Sequence, residues 1–171
     1  FISPSTILLE HLMESITAKE LMTTEVVVVN PSMSTKELSE LFTEKMISGA
    51  PVVDEDGNLL GVVSLSDLAR NNLLNLGSDS GKWTLDYHLQ GWDNKMNQED
   101  LEGMHLEVEG DVKVEDIMTP MVFTAPQDLP LTELARAMSS GQVHRLIITD
   151  NKKMLGIVTS MDILKAIGKS D

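Results

Sequence analysis

The sequence predicts an α/β protein built from one β-α-β-β-α unit written twice. Three observations carry that prediction. The stretches Gly49–Leu73 and Val143–Ile167 share one order: apolar strand, polar turn, Leu-Gly, apolar strand, hydroxyl residue, two spacers, Asp, apolar helix. The run Glu20-Leu21-Met22-Thr23 returns as Asp116-Ile117-Met118-Thr119, 96 positions later, and Asp54 and Asp150 keep that spacing. Gly61 and Gly156 are 95 apart, as are Asp67 and Asp162, so one residue is lost in the intervening turn and the register otherwise holds. A fixed offset of this kind marks an internal duplication.

Each copy opens with a short helix end, "AKELM" or "VEDIM". An extended run follows, "EVVVVNP" or "MVFTAP", whose β-branched content suits a strand and whose Pro ends it. The next helix is expected to bury Leu38, Leu41, Phe42 and Met46 in the first copy, and Leu134, Ala137 and Met138 in the second, residues at three- and four-residue steps. Two apolar strands come next, "APVVD" and "LLGVVS", or "RLIITD" and "MLGIVT", continuous enough to be buried on both faces. The turn "DEDGN" carries turn chemistry, whereas "NKK" shows only polarity. A last helix, "SDLARNNLL" or "MDILKAIG", is closed by Gly168 in the second copy. One such unit is small for a stable core, so the two copies are expected to bury their sheets against each other.

The domain reading is an N-terminal arm or tag at 1–12, repeat 1 at 13–74, an acidic insert at 75–111 and repeat 2 at 112–171. The chain opens on Phe1 and Met13 reads as a natural start, so the arm is expected to be vector-derived or the end of a larger protein. The insert holds Trp83, Tyr87 and Trp92, nine acidic residues and two lysines, so it is expected to pack on the repeats or meet a partner rather than act as a plain linker. "NQEDLEGMHL" within it suits a short helix capped by Asn97.

Composition excludes several classes. A net charge of −14 over 171 residues argues against a nucleic-acid binder, whose footprint would be basic. No apolar run reaches the roughly 20 residues of a membrane span, and no secretory signal is visible. Cysteine is absent, which removes disulfides and thiolate sites and leaves the cytoplasm as the default compartment.

The repeated hydroxyl and Asp admit two readings. Ser64-x-x-Asp67 and Thr159-x-x-Asp162 fit a capping box, with the hydroxyl at the N-cap and the acid at N3. They also place a carboxylate at a strand-to-helix junction, where it can accept hydrogen bonds from both hydroxyls of a ribose while free helix amides suit a phosphate. Beside the second copy stand His144 and Arg145, donors fit for a phosphate tail. Arg145 on an otherwise apolar strand needs either a charged ligand or a path to solvent.

Together, "DIMTP", "VHRLIITD" and "GIVTSMDIL", with "ELMTT" and "ISGAPVVDEDGNLLGVVSLSDL", resemble the cystathionine-β-synthase (CBS) domain, present twice as a Bateman pair and similar to stand-alone CBS-pair proteins. The resemblance covers Ile16–Leu74 and Val112–Gly168. It implies two repeats joined sheet to sheet with pseudo-two-fold symmetry. It also implies clefts that take AMP, ADP, ATP or S-adenosylmethionine, and regulation of an attached or partner protein. Carried over position by position, one cleft joins Thr159 and Asp162 to Thr24, Val26, Ile47 and Ser48. The other joins Ser64, Ser66 and Asp67 to Pro120, Val122, Gln142 and Val143. His144 and Arg145 lie where family members present phosphate-binding groups. The first copy has Ser48 and Gly49 at those last two places and supplies no cation there. Family members commonly pair their helices, so a homodimer is expected.

The rival readings are an enzyme, a metal site and a scaffold with empty clefts. His11, His88, His105 and His144 stand beside no readable nucleophile, and no P-loop or dinucleotide fingerprint occurs, so no catalytic residue is assigned. His88 and His105 with Asp86, Asp93 and Glu102 match no known metal spacing, so no metal site is assigned. The expectation is a regulatory module sensing an adenosine ligand, with a dimerisation scaffold or a fragment of a transporter or enzyme as the alternatives.

Overall fold

The computed structural model describes residues 15–75, 112–120 and 122–168. The expectations for 1–12, for the helix at Asn97 and for the aromatic and histidine residues of the insert lie outside the described residues. The chain is mixed α/β and divides into two compact units. One, the N-unit, is Val27–Val122; the other, the C-unit, takes the chain up to Val26 together with the chain from Phe123 on.

The N-unit contains α2 (Thr35–Lys45), β1 (Gly49–Val53), β2 (Leu59–Ser64), α3 (Leu65–Asn75) and the short α4 (Val114–Ile117). The C-unit contains the short α1 (Ala18–Leu21), β3 (Thr124–Pro126), α5 (Leu131–Gly141), β4 (Arg145–Asp150), β5 (Lys153–Thr159) and α6 (Ser160–Gly168). In each unit a tight antiparallel pair, β1–β2 or β4–β5, carries the core. In the N-unit that core is formed by Val29, Leu38, Phe42, Val52, Val63, Leu68 and Val114. In the C-unit it is formed by Ala18, Leu131, Leu134, Met138, Leu146, Ile148, Val158 and Ile163.

Compact units and sequence repeats are therefore offset: each unit is completed by the leading segment of the other repeat. Ala18 N donates to Leu129 O in the C-unit, and Val114 N, 96 positions later, donates to Met33 O in the N-unit, both at 2.9 Å. Leu131 N likewise donates to Ile16 O and Thr35 N to Val112 O. The Met-Thr that follows each short helix then lies on the second strand of its host pair. Thr23 and Ile157 exchange both backbone bonds, as do Thr119 and Val62. This crossing explains the repeated glycine. A Cβ on Gly156 would stand 2.6 Å from Thr23 O, and one on Gly61 would stand 2.6 Å from Thr119 O. Only a residue without a side chain lets the two backbones approach so closely.

Four expectations are corrected. The run "EVVVVNP" forms no strand; it meets β1 only through a parallel bridge between Val29 and Val52. The reason is Pro51. In the C-unit, Ile147 N donates to Phe123 O and β3 pairs with β4 over three residues. The matching donor in the N-unit would be residue 51, and proline has no N–H, so the ladder cannot extend past Val29. Met46 is exposed (80%), not on the buried face of α2. It is the C-cap, left-handed at φ 51°, which turns its side chain away from the apolar stripe. Ala137 is also exposed, and Ala135 packs against the core in its place. Gly168 is the last residue of α6, and its backbone is not left-handed.

The hairpin turns differ too. Asp54 accepts from Asn58 Nδ2 and Asn58 N at 2.8 Å and from Asp56 N at 3.0 Å, and these bonds hold its carboxyl below the usual range. Between β4 and β5 only Asn151 and Lys152 form the turn, with φ of 47° and 74°. Two successive positive φ values are the type I′ signature, so "NKK" does carry turn chemistry, with a lysine where glycine is preferred.

Candidate ligand site

The C-unit junction forms the full expected capping box, and the N-unit junction forms the carboxylate half of one. Asp67 Oδ2 accepts from Ser64 N at 2.8 Å and Ser64 Oγ at 2.7 Å. Asp162 Oδ2 accepts from Thr159 N and Oγ1 at the same two distances, and Thr159 Oγ1 accepts in turn from Asp162 N at 3.3 Å. At each junction these bonds fall on one carboxylate oxygen, Oδ2. Ser64 and Asp67 are buried, whereas Thr159 and Asp162 are half-buried.

One more bond fixes each junction. Leu65 N donates to Ser48 O at 3.0 Å, and Ser160 N donates to His144 O at 2.8 Å. The first amide of each helix is thus already engaged, so the expectation of free amides at the helix starts is corrected at these two positions. The same bond stations His144 at the entrance of α6. Its neighbour Arg145 is the cross-strand partner of Thr159, and Gly49 is the cross-strand partner of Ser64. Directly opposed residues on antiparallel strands project to the same face, with Cβ atoms about 4.5–5.5 Å apart. The C-unit therefore presents a guanidinium, a hydroxyl and a carboxylate on one side of one strand-to-helix junction. Partial burial lowers the Arg145 pKa from its ordinary value, but guanidinium stays charged throughout the physiological range.

The other assigned residues divide between the units. Thr24 and Val26 follow Thr23, which is paired to Ile157 two residues before Thr159, so they belong to the C-unit with Thr159 and Asp162. Gln142 and Val143 also lie in the C-unit; Gln142 is the left-handed C-cap of α5 at φ 51°. Ile47, Ser48, Ser66, Pro120 and Val122 lie in the N-unit. Pro120, Gln142, Thr24 and His144 are exposed, and Val26, Ile47, Ser48, Ser66, Val122, Val143 and Arg145 are half-buried. Among the described residues no group of three or more His, Asp or Glu gathers to hold a metal ion. Among them, too, no helix is long and apolar enough to cross a membrane.

The CBS domain model matches residues 18–73 and 114–169. The chain belongs to the CBS domain family. It is 35% identical over 144 residues to the uncharacterized protein MJ1232 of Methanocaldococcus jannaschii, covering 84% of this chain and 36% of that protein. It is 33% identical over 145 residues to the chloroplastic CBS domain-containing protein CBSX2 of Arabidopsis thaliana, covering 81% of this chain and 57% of that protein. The chain thus spans about a third of the first and somewhat over half of the second. Among solved structures, CBSX2 in complex with AMP is similar at 27% identity with a TM-score of 0.62, over 90% of this chain and 96% of that one. A CBS domain-containing protein of Bacillus anthracis shares the fold at 17% identity with a TM-score of 0.68, over 95% of this chain and 99% of that one.

Proposed function

We propose that this CBS pair is a ligand-sensing regulatory module for an adenosine-containing molecule (AMP, ADP, ATP or an S-adenosyl compound) and that it performs no catalysis of its own. The observation that carries the reading is the junction of the C-unit, where Arg145 opposes Thr159 and Asp162 caps the following helix. A ribose diol needs a carboxylate acceptor and a phosphate needs a forked cation, and these groups share one face there. The AMP complex of the similar CBSX2 supports the ligand class. Asp162 Oδ2 serves the cap, and in this proposal Oδ1 serves the ribose. A ligand that binds one arrangement of the chain better than another shifts its population, and a partner preferring that arrangement responds.

The test is a calorimetric titration of the pure protein with AMP, ADP, ATP, S-adenosylmethionine and adenosine. Saturable binding of at least one, with no turnover of the bound nucleotide, is expected; binding of none sinks the reading. Asp162→Ala separates ribose recognition from capping. Loss of the cap alone costs about 1 kcal/mol of stability. The proposal expects adenosine-ligand affinity to fall at least tenfold besides, and a lower melting temperature with intact affinity would leave only the cap.

A further inference from the structure

Three large apolar side chains of α6 stand in solvent. Met161 is 54% exposed, Leu164 59% and Ile167 40%, while Ile163 of the same helix is buried in the C-unit core. The helix therefore gives one side to its own unit and holds a second apolar row outside it. Residues three apart are neighbours on a helix surface, so the three side chains form one continuous row. A single exposed apolar residue is ordinary, but a contiguous set marks an interaction surface.

The duplication supplies an internal control. The positions 95 earlier are Ser66, Ala69 and Asn72, on the last helix of the N-unit. Ser66 and Ala69 are half-buried, and none of the three is a large apolar residue. The N-unit folds without the row, so the fold does not require it.

Charge and symmetry say what covers it. The stretch 27–122 holds 18 acidic and 6 basic residues, and the rest of the chain holds 9 and 7. Two copies meeting through their N-units would repel, whereas their C-units are nearly neutral and can approach. A strongly basic partner would be drawn to 27–122 rather than to α6. The row is also symmetric about its middle, with Met161 and Ile167 three positions either side of Leu164. Turned antiparallel about a two-fold axis at Leu164, two copies of α6 bring Leu164 onto its equivalent and Met161 onto Ile167 of the second copy. A two-fold contact between identical subunits needs such a self-complementary patch.

We infer that α6 is a self-association surface that pairs C-unit with C-unit in a homodimer, with the N-unit taking no part. Three side chains cover only a share of the roughly 800 Å² per partner of a stable interface, so the dimer dissociates on dilution. The inference needs no ligand and stands apart from the adenosine reading.

The test is sedimentation equilibrium of the full chain without nucleotide over a range of concentrations, for the wild type, Leu164→Asp, Met161→Ser and Met46→Ser. Circular dichroism checks that each variant is folded. The wild type should pass from monomer to dimer as concentration rises. Leu164→Asp should remain a monomer throughout, and Met161→Ser should weaken the dimer at least fivefold. Met46→Ser removes an exposed methionine of the N-unit and should change nothing. Added salt should strengthen the dimer by screening the acidic stretches from each other. If Leu164→Asp does not fold, Met161→Ser decides alone. A wild type that is monomeric at every concentration overturns the inference, as does a dimer that Leu164→Asp and Met161→Ser leave intact. An equal loss in Met46→Ser overturns the confinement to the C-unit, and a dimer that salt weakens would be ionic rather than built on this row.

Discussion

The two units share one order of crossings and junctions and differ in a strand, a turn and the chemistry placed at the junction. Each receives a short helix and a Met-Thr from the other repeat, each crosses that Met-Thr at a glycine, and each caps its last helix with a hydroxyl and an Asp. At the strand entering that junction the N-unit has Ser48 and Gly49, whereas the C-unit has His144 and Arg145. Val27 and Lys45 stand where the C-unit has Phe123 and Gly141. Features common to both units are therefore those the fold needs, and features confined to one are candidates for function. The Asp–hydroxyl pair belongs partly to the first group, which is why its capping bonds alone do not establish a ligand site.

The largest effect should come from a shared feature. Gly156→Ala and Gly61→Ala each force a Cβ against a backbone carbonyl that has no rotamer to escape by. Each should cost about 1–3 kcal/mol, the range of an overpacked interior, read as a lower denaturant midpoint. Similar losses in the two variants would uphold the equivalence of the crossings, and a tolerated alanine at either would break it.

Next comes a flaw in one unit alone. Thr35 is fully buried and its Oγ1 has no hydrogen-bond partner, while Leu131 fills the matching position of the C-unit. A buried hydroxyl without a partner carries its desolvation cost, so Thr35→Val should stabilise the protein by about 1 kcal/mol. Chemical denaturation checks this; destabilisation would mean that the hydroxyl has a partner in solution.

The smallest effect lies in the hairpins. Gly57 takes its positive φ without strain, but Lys152 holds φ 74° with a side chain. Lys152→Gly should raise stability by about 0.5–1 kcal/mol, reduced by the extra freedom glycine gives the unfolded chain. Thermal melts of this variant beside Gly57→Ala, which should destabilise, would show whether turn geometry separates the two units.

Much of this was legible in the sequence because it rests on local rules. The offset of 96 fixed the element order, and the hydroxyl-x-x-Asp spacing located both helix starts. The failures were non-local. A valine run reads as a strand until its partner is known to carry Pro51, which withholds one N–H from across the sheet. Met46 fits the apolar stripe by spacing, but the left-handed cap rotates it outward. The type I′ turn hid behind lysines because that turn's signature is glycine. At the candidate site, Arg145 was visible as a charge on an apolar strand, but its pairing with Thr159 depends on the hairpin register.

The central claim is that the fold is duplicated while phosphate recognition is confined to the C-unit. Calorimetric titration of Arg145→Ala with AMP and with adenosine tests it most directly. The account predicts a loss of at least tenfold for AMP, about 1.4 kcal/mol, with adenosine little changed and the AMP loss smaller at high salt because part of the missing attraction is screened. Equal losses for the two ligands would assign Arg145 to the base or the fold, and no loss for either would contradict the claim.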